Sequence, residues 1–143
     1  MESPFLFVCG TLRRGAKRFG LMAALGDFVD RATVQGRLYR VARYPGLVLC
    51  DTPEERVVGE VFRLRNPRIA LARLDRYEQC GPGFAKPTEY VRDHAAVRCA
   101  NGKRLTAWLY VYNRRTDGLT RLRGGDFLAP RRTNPPSPPS DSS

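Results

Sequence analysis

The chain has 143 residues, 25 lysines and arginines against 14 aspartates and glutamates, and a formal net charge of +11. That length fits one domain able to bury roughly two-thirds of its unfolded surface, and no stretch approaches the ~20 apolar residues of a membrane span. The four cysteines (Cys9, Cys50, Cys80 and Cys99) form no C-x-x-C pair and accompany one histidine, His94, a pattern that fits neither the usual zinc spacings nor a disulfide framework.

The opening Met1-Glu2-Ser3-Pro4 carries no basic region, and the apolar run behind it is too short for a signal peptide. A soluble, cytoplasmic protein with reduced thiols is expected. The arginines are scattered rather than gathered in a stripe, and neither a zinc-finger spacing nor an RNP-type aromatic motif is present. The charge therefore reads as solvated surface, with no nucleic-acid partner expected.

Phe5-Leu6-Phe7-Val8 is an unbroken apolar run, the pattern of a strand buried on both faces in a sheet or barrel wall. Gly10-Thr11 ends it. A glycine backbone can approach a ligand closely, and successive N–H groups in such a turn form a concave anion site, with the Thr11 hydroxyl as a further donor. Arg13 and Arg14 would stand at its rim. The residues alone leave two readings open, a cradle for a small carboxylate or an ordinary tight turn with two solvated arginines.

Leu21 to Gly26 reads as a short helix with Leu21, Ala24 and Leu25 on one face and Gly26 closing it as the C′ residue. Arg31 to Val41 reads as a strand with a bend or bulge at Gly36. Tyr44-Pro45-Gly46 is expected to turn, followed by a short apolar strand, Leu47 to Cys50, and a polar loop, Asp51 to Glu55. Val57 to Leu64 is a further strand. Asn66-Pro67 then starts a helix, an N-cap followed by proline at N1, running to about Glu78. Leu71, Leu74 and Glu78 fall at i, i+3 and i+7, so Glu78 shares the face of the buried leucines. A carboxylate there is costly to bury without a partner or a task. The other reading is an exposed side chain at a fraying helix end, paired with Arg73 or Arg76.

Gly81-Pro82-Gly83 is expected as a mobile loop beside a pocket. Glu89 to Arg92 and Ala95 to Cys99 read as two short strands, and Asn101-Gly102 as a type I′ turn pairing the second of them with Leu105 to Tyr112. In that last arm Ala107, Leu109 and Val111 face one way, and Thr106, Trp108, Tyr110 and Tyr112 the other. From Ala129 onward prolines and serines dominate without apolar periodicity, so a domain over 1–128 and a disordered tail over 129–143 are expected.

In order along the chain, these segments resemble the gamma-glutamylcyclotransferase-like (AIG2-like) family. Cys9-Gly10-Thr11-Leu12-Arg13-Arg14-Gly15 resembles its Y-G-[ST]-L-[RK]-x-G turn, Gly36-Arg37-Leu38-Tyr39 its G-x-L-Y strand, and Tyr44-Pro45-Gly46-Leu47 its Y-P-G-L element. Val57 to Phe62, Leu74-Asp75-Arg76-Tyr77-Glu78, Tyr90-Val91-Arg92, Ala107 to Tyr112 and Gly125-Asp126-Phe127 continue the likeness. Any one motif is weak; the ordered set is specific.

The resemblance implies an α+β fold, a small, mostly antiparallel β-barrel with a few short helices. It also implies a reaction in which the α-amine of a γ-glutamyl group attacks its own δ-carbonyl, closing 5-oxoproline and expelling the attached amine, with no metal or cofactor. By the same resemblance Glu78 is the general base and then acid. Cys9, Gly10, Thr11 and Leu12 bind the substrate through backbone N–H groups, and Tyr112 or Tyr110 lends a hydroxyl. The chain departs from the family pattern at Cys9, where tyrosine is usual, at Gln79-Cys80, and at Ala16-Lys17-Arg18-Phe19. The leaving group is therefore open. Three rivals stand beside this reading: a non-catalytic carboxylate-binding protein of the same fold, a cysteine enzyme using Cys9 with His94, and a nucleic-acid binder driven by charge.

Overall fold

The computed structural model describes residues 3–41, 43–78 and 88–128. In chain order these residues form β1 (Phe5–Val8), α1 (Phe19–Leu25), β2 (Gly26–Val41), β3 (Tyr44–Leu49), β4 (Arg56–Leu64), α2 (Pro67–Tyr77), β5 (Tyr90–Cys99), β6 (Arg104–Tyr112) and β7 (Thr120–Arg121). Five strands close into a barrel in the order β2-β4-β1-β6-β5, because Ala32 to Val34 of β2 pair with β4 on one side and with Val97 to Cys99 of β5 on the other. Every pair is antiparallel except β1 with β6. This is the small, mostly antiparallel barrel with short helices that the resemblance implied.

β1 lies between β4 and β6, and its lack of polar alternation has a direct cause. Phe7 joins the barrel interior with Val34, Val61, Val97 and Leu109, while Leu6 and Val8 join a second core formed with Met22, Leu71 and Leu74 of the helices. Both faces of β1 are covered. β6 divides as its alternation requires, Ala107 and Leu109 inward and Trp108 and Tyr110 toward the helix layer.

Several local expectations change in context. β2 begins five residues earlier than expected, at Gly26, because Asp27 and Phe28 find ladder partners in Arg63 and Phe62, with a bulge between Phe28 and Asp30. At Gly36 the strand changes neighbour: Gln35 pairs with Arg56 of β4, and Gly36 with Leu49 of β3. Tyr44-Pro45-Gly46 is not a turn. It begins β3, paired with Val41, Arg40 and Tyr39, and the proline is tolerated because β3 is an edge strand. Asp93 and His94 do not split the 89–99 segment, since both are exposed and β5 runs through them. The β5–β6 turn is not type I′ over Asn101-Gly102. Gly102 N donates to Cys99 O at 2.9 Å and Cys99 N to Lys103 O at 2.8 Å, so Gly102, at φ +90°, ends a longer turn as its bulge residue. α1 buries Met22 and Leu25 rather than Ala24, and Gly26 caps it in extended backbone that enters β2 directly.

α2 forms as expected. The Asn66 side chain accepts from Ile69 N, Pro67 follows, and Ala70, Leu71 and Leu74 are buried. The expected 81–83 loop, Cys80 and the 129–143 tail lie outside the described residues. Cys9, Cys50 and Cys99 are free thiols. Among the described residues no helix is long and apolar enough to cross a membrane.

Candidate active site

The end of β1, the start of β3, the end of α2 and the start of β5 converge on a cavity of about 270 Å³. Its wall contains Cys9, Gly10, Thr11 and Leu12 from the glycine turn, Glu78 from the helix end, and Tyr110 from β6. The structure thus brings together the predicted turn and the predicted carboxylate. It does not bring Tyr112 into the wall; that ring packs edge-on against Tyr90 at 5.6 Å. Glu89, Tyr90, Tyr44, Pro45, Tyr77 and Arg18 also line the cavity, and none of them stood out in the sequence as a site residue.

The turn is held from outside the cavity. A Cβ on Gly10 would lie 2.6 Å from the Pro45 ring, so only glycine allows β1 and β3 to approach this closely. Arg13 N donates to Gly10 O at 3.1 Å, and Arg18 N to Thr11 O at 2.8 Å. The backbone N–H groups of Gly10, Thr11 and Leu12 donate to no acceptor among the described residues. Arg13 and Arg14 are not rim cations. Arg13 is buried and bonds to Asp126 at 2.6 Å, tying the loop to the C-terminal Gly125-Asp126-Phe127 element. Arg14 lies over the Phe28 ring at 3.4 Å, and its backbone N–H donates to the buried Glu60 carboxylate at 2.7 Å. A lone glutamate inside the apolar Val57-to-Leu64 strand was the available signal for that anchor.

Glu78 is the C-cap of α2, its N–H donating to Leu74 O at 2.8 Å, and its side chain is partly buried in the cavity. One turn earlier Asp75 receives Tyr110 Oη at 2.6 Å and Arg92 Nε at 3.0 Å. Arg92 and Tyr110 are direct cross-strand partners in β5 and β6, so one rung of the barrel fixes the helix end that carries Glu78. Arg92 is braced in turn over the Trp108 ring at 4.7 Å.

Burial raises the Glu78 carboxyl from its ordinary 4.5 to about 7, with the nearby Glu89 carboxylate adding to the effect. Near neutral pH both of its protonation states are populated, the condition for a group that both accepts and returns a proton. Burial, and then Glu78, push the Cys9 thiol up to about 12. A thiol so held is the opposite of an activated nucleophile. His94 is exposed, its ring edge-on to Trp108 at 5.8 Å, and it does not line the cavity, so a Cys9–His94 pair is not assembled. The Tyr90 hydroxyl is also held protonated by burial and by Glu78 and Glu89, and it donates to Pro45 O at 2.8 Å.

A barrel cavity that opposes free backbone N–H groups to a carboxylate titrating near neutrality defines a small-molecule site equipped for anion binding and proton transfer. Residues 6–129 match the family model of gamma-glutamyl cyclotransferase, AIG2-like, proteins, and the chain belongs to that family. It is 33% identical over 127 residues to the gamma-glutamylcyclotransferase family protein YtfP of Escherichia coli K12, covering 86% of this chain and 95% of that one. It is 34% identical over 126 residues to the gamma-L-glutamyl-butirosin B gamma-glutamyl cyclotransferase of Niallia circulans, covering 87% of this chain and 75% of that one. Among solved structures, YkqA of Bacillus subtilis superposes with a TM-score of 0.66 at 26% identity, covering 87% of this chain and 39% of that one. The chain therefore spans well under half of YkqA.

Proposed function

We propose that the protein cyclises a γ-glutamyl amide to 5-oxoproline and releases the attached amine, with Glu78 as the proton-transfer residue. The observation that carries this reading is Glu78 itself, a carboxylate titrating near 7 in the same cavity as the Gly10–Leu12 N–H groups. In the first step the Glu78 carboxylate takes a proton from the substrate α-ammonium. The freed amine attacks the δ-carbonyl carbon, and the N–H groups of Gly10, Thr11 and Leu12 hold the oxyanion or the substrate α-carboxylate. As the tetrahedral adduct collapses, Glu78 delivers its proton to the departing nitrogen. The second proton shed by the ring nitrogen also leaves with the amine, so the products are the lactam and an ammonium. Nucleophile and electrophile share one molecule, and the cavity's task is to hold the folded, near-attack conformer.

Domain boundaries at 1–128 and a tail over 129–143 are part of the same proposal. The test is release of 5-oxoproline from a panel of γ-glutamyl amines, γ-glutamyl dipeptides and glutathione, wild type beside Glu78→Gln. Release from a panel member that is lost in the variant supports the reading. Release undiminished in Glu78→Gln removes Glu78 from the mechanism. No release from any member, together with 5-oxoproline binding in a thermal-shift assay, favours a carboxylate-binding protein of the same fold.

A further inference from the structure

Fifteen described residues line the cavity, and three of them are exposed: Arg18, Tyr44 and Tyr77. These three mark the mouth. The remaining wall, Glu78, Glu89 and the glycine turn included, is buried or partly buried. Arg18 is also the sole cation of the lining among the described residues. Its position is fixed, because its backbone N–H donates to Thr11 O at 2.8 Å and it is the residue that caps α1.

Its guanidinium is not committed elsewhere. The side chain makes no capping bond, and no hydrogen bond or ion pair reaches it from the described residues. The neighbouring basic residues differ. Arg13 is spent on Asp126, Arg14 lies on Phe28 beside Glu60, and Lys17 does not line the cavity. One cation of the loop is thus left facing whatever occupies the mouth.

Resting on the cyclotransferase reading, we propose that the leaving amine of the substrate carries a carboxylate that Arg18 binds. The substrate class is then γ-glutamyl amino acids rather than γ-glutamyl derivatives of simple amines. The direction of the substrate supports this. The glutamyl head must fold between Glu78 and the glycine turn in the inner part of the cavity, so the group attached to its δ-carbonyl extends outward. There it meets Arg18, with the Tyr44 and Tyr77 rings offering apolar surface to its side chain. Arg18 takes a planar carboxylate through its fork of N–H donors, a preference a solvated lysine would not share.

The test uses the full chain carrying Glu78→Gln, which binds substrate without the proton-transfer carboxylate, and two ligands that differ only by the group in question, γ-glutamyl-alanine and γ-glutamyl-ethylamine. Calorimetry gives Kd for each with Arg18 present and in the added Arg18→Gln variant. The expected result is about tenfold tighter binding of the alanine compound, falling to near parity in Arg18→Gln and weakening with salt, as a partly exposed ion pair must. Circular dichroism and melting are expected unchanged, since no tertiary contact of the side chain is removed. Equal affinities with Arg18 present overturn the proposal. A preference that survives Arg18→Gln also overturns it and assigns the selectivity to the general field of the +11 chain. Equal weakening of both ligands overturns it in favour of a contact with the glutamyl carboxylate, and failure of both to bind overturns it outright. The cyclotransferase reading is judged separately, by 5-oxoproline release in the wild type.

Discussion

Glu78→Gln is expected to stabilise the protein while abolishing turnover, and the size of the gain is set by pH. Folding raises the carboxyl from 4.5 to about 7, mainly through burial. Between those values the folded protein holds a proton that the unfolded chain has released, so stability falls as pH rises. Below pH 4.5 the group is neutral in both states and the cost vanishes; above 7 the full cost applies. The rise is equivalent to about 3 kcal/mol at 1.36 kcal/mol per pH unit. Glutamine keeps the shape and does not titrate. Urea unfolding of both proteins at pH 4, 6 and 8 measures the effect. The difference between variant and wild type is expected to grow by about 3 kcal/mol over that range, moving the midpoints apart by roughly 2 M for an m-value near 1.5 kcal/mol/M. Cys9 and Tyr90 titrate far above this window, and the Glu55 carboxyl, held down at about 2 by the Arg37 hydrogen bond, is common to both proteins and cancels. Parallel stability curves for the two proteins would refute the argument that Glu78 is buried at a cost in the folded state.

Glu89→Gln removes the neighbouring carboxylate that helps hold Glu78 neutral, so the acidic limb of the kcat/KM–pH profile is expected to move to lower pH; an unmoved limb would place Glu89 outside the electrostatics of the site. Arg92→Gln leaves Asp75 with the Tyr110 hydroxyl, and is expected to cost about 1 kcal/mol in unfolding free energy, as befits a partly exposed pair. Because it loosens the helix end and touches no cavity atom, it should lower kcat more than it raises KM in steady-state assays. Gly59→Ala would set a Cβ 2.3 Å from Val8 O and 2.5 Å from the Phe7 ring, and is expected to destabilise by about 3 kcal/mol or more in thermal melting, since one of those neighbours is backbone.

The local elements of this protein were written in its local residues. Asn66-Pro67 set the start of α2, the leucine spacing set its buried face, and the same spacing placed Glu78 on that face. The unalternating Phe5-to-Val8 run announced burial on both sides, and the ordered motifs announced the family. These signals depend on propensity and periodicity over a few residues, so they survive without knowledge of the rest of the chain.

What the tertiary structure alone decided depends on contacts across long separations. Asp27 and Phe28 are strand because β4 offers them ladder partners, and Tyr44-Pro45-Gly46 is strand because β2 does. Barrel closure needs Ala32 to meet Cys99, a pairing no local pattern encodes. The same is true of the site. Arg13 is a buried anchor rather than a rim cation because Asp126 arrives from the other end of the chain. Arg18, Tyr44, Tyr77 and Glu89 become neighbours of Glu78 only when the ends of β1, β3, α2 and β5 meet, and a side chain's charge environment, hence its chemistry, is fixed by what folding brings beside it.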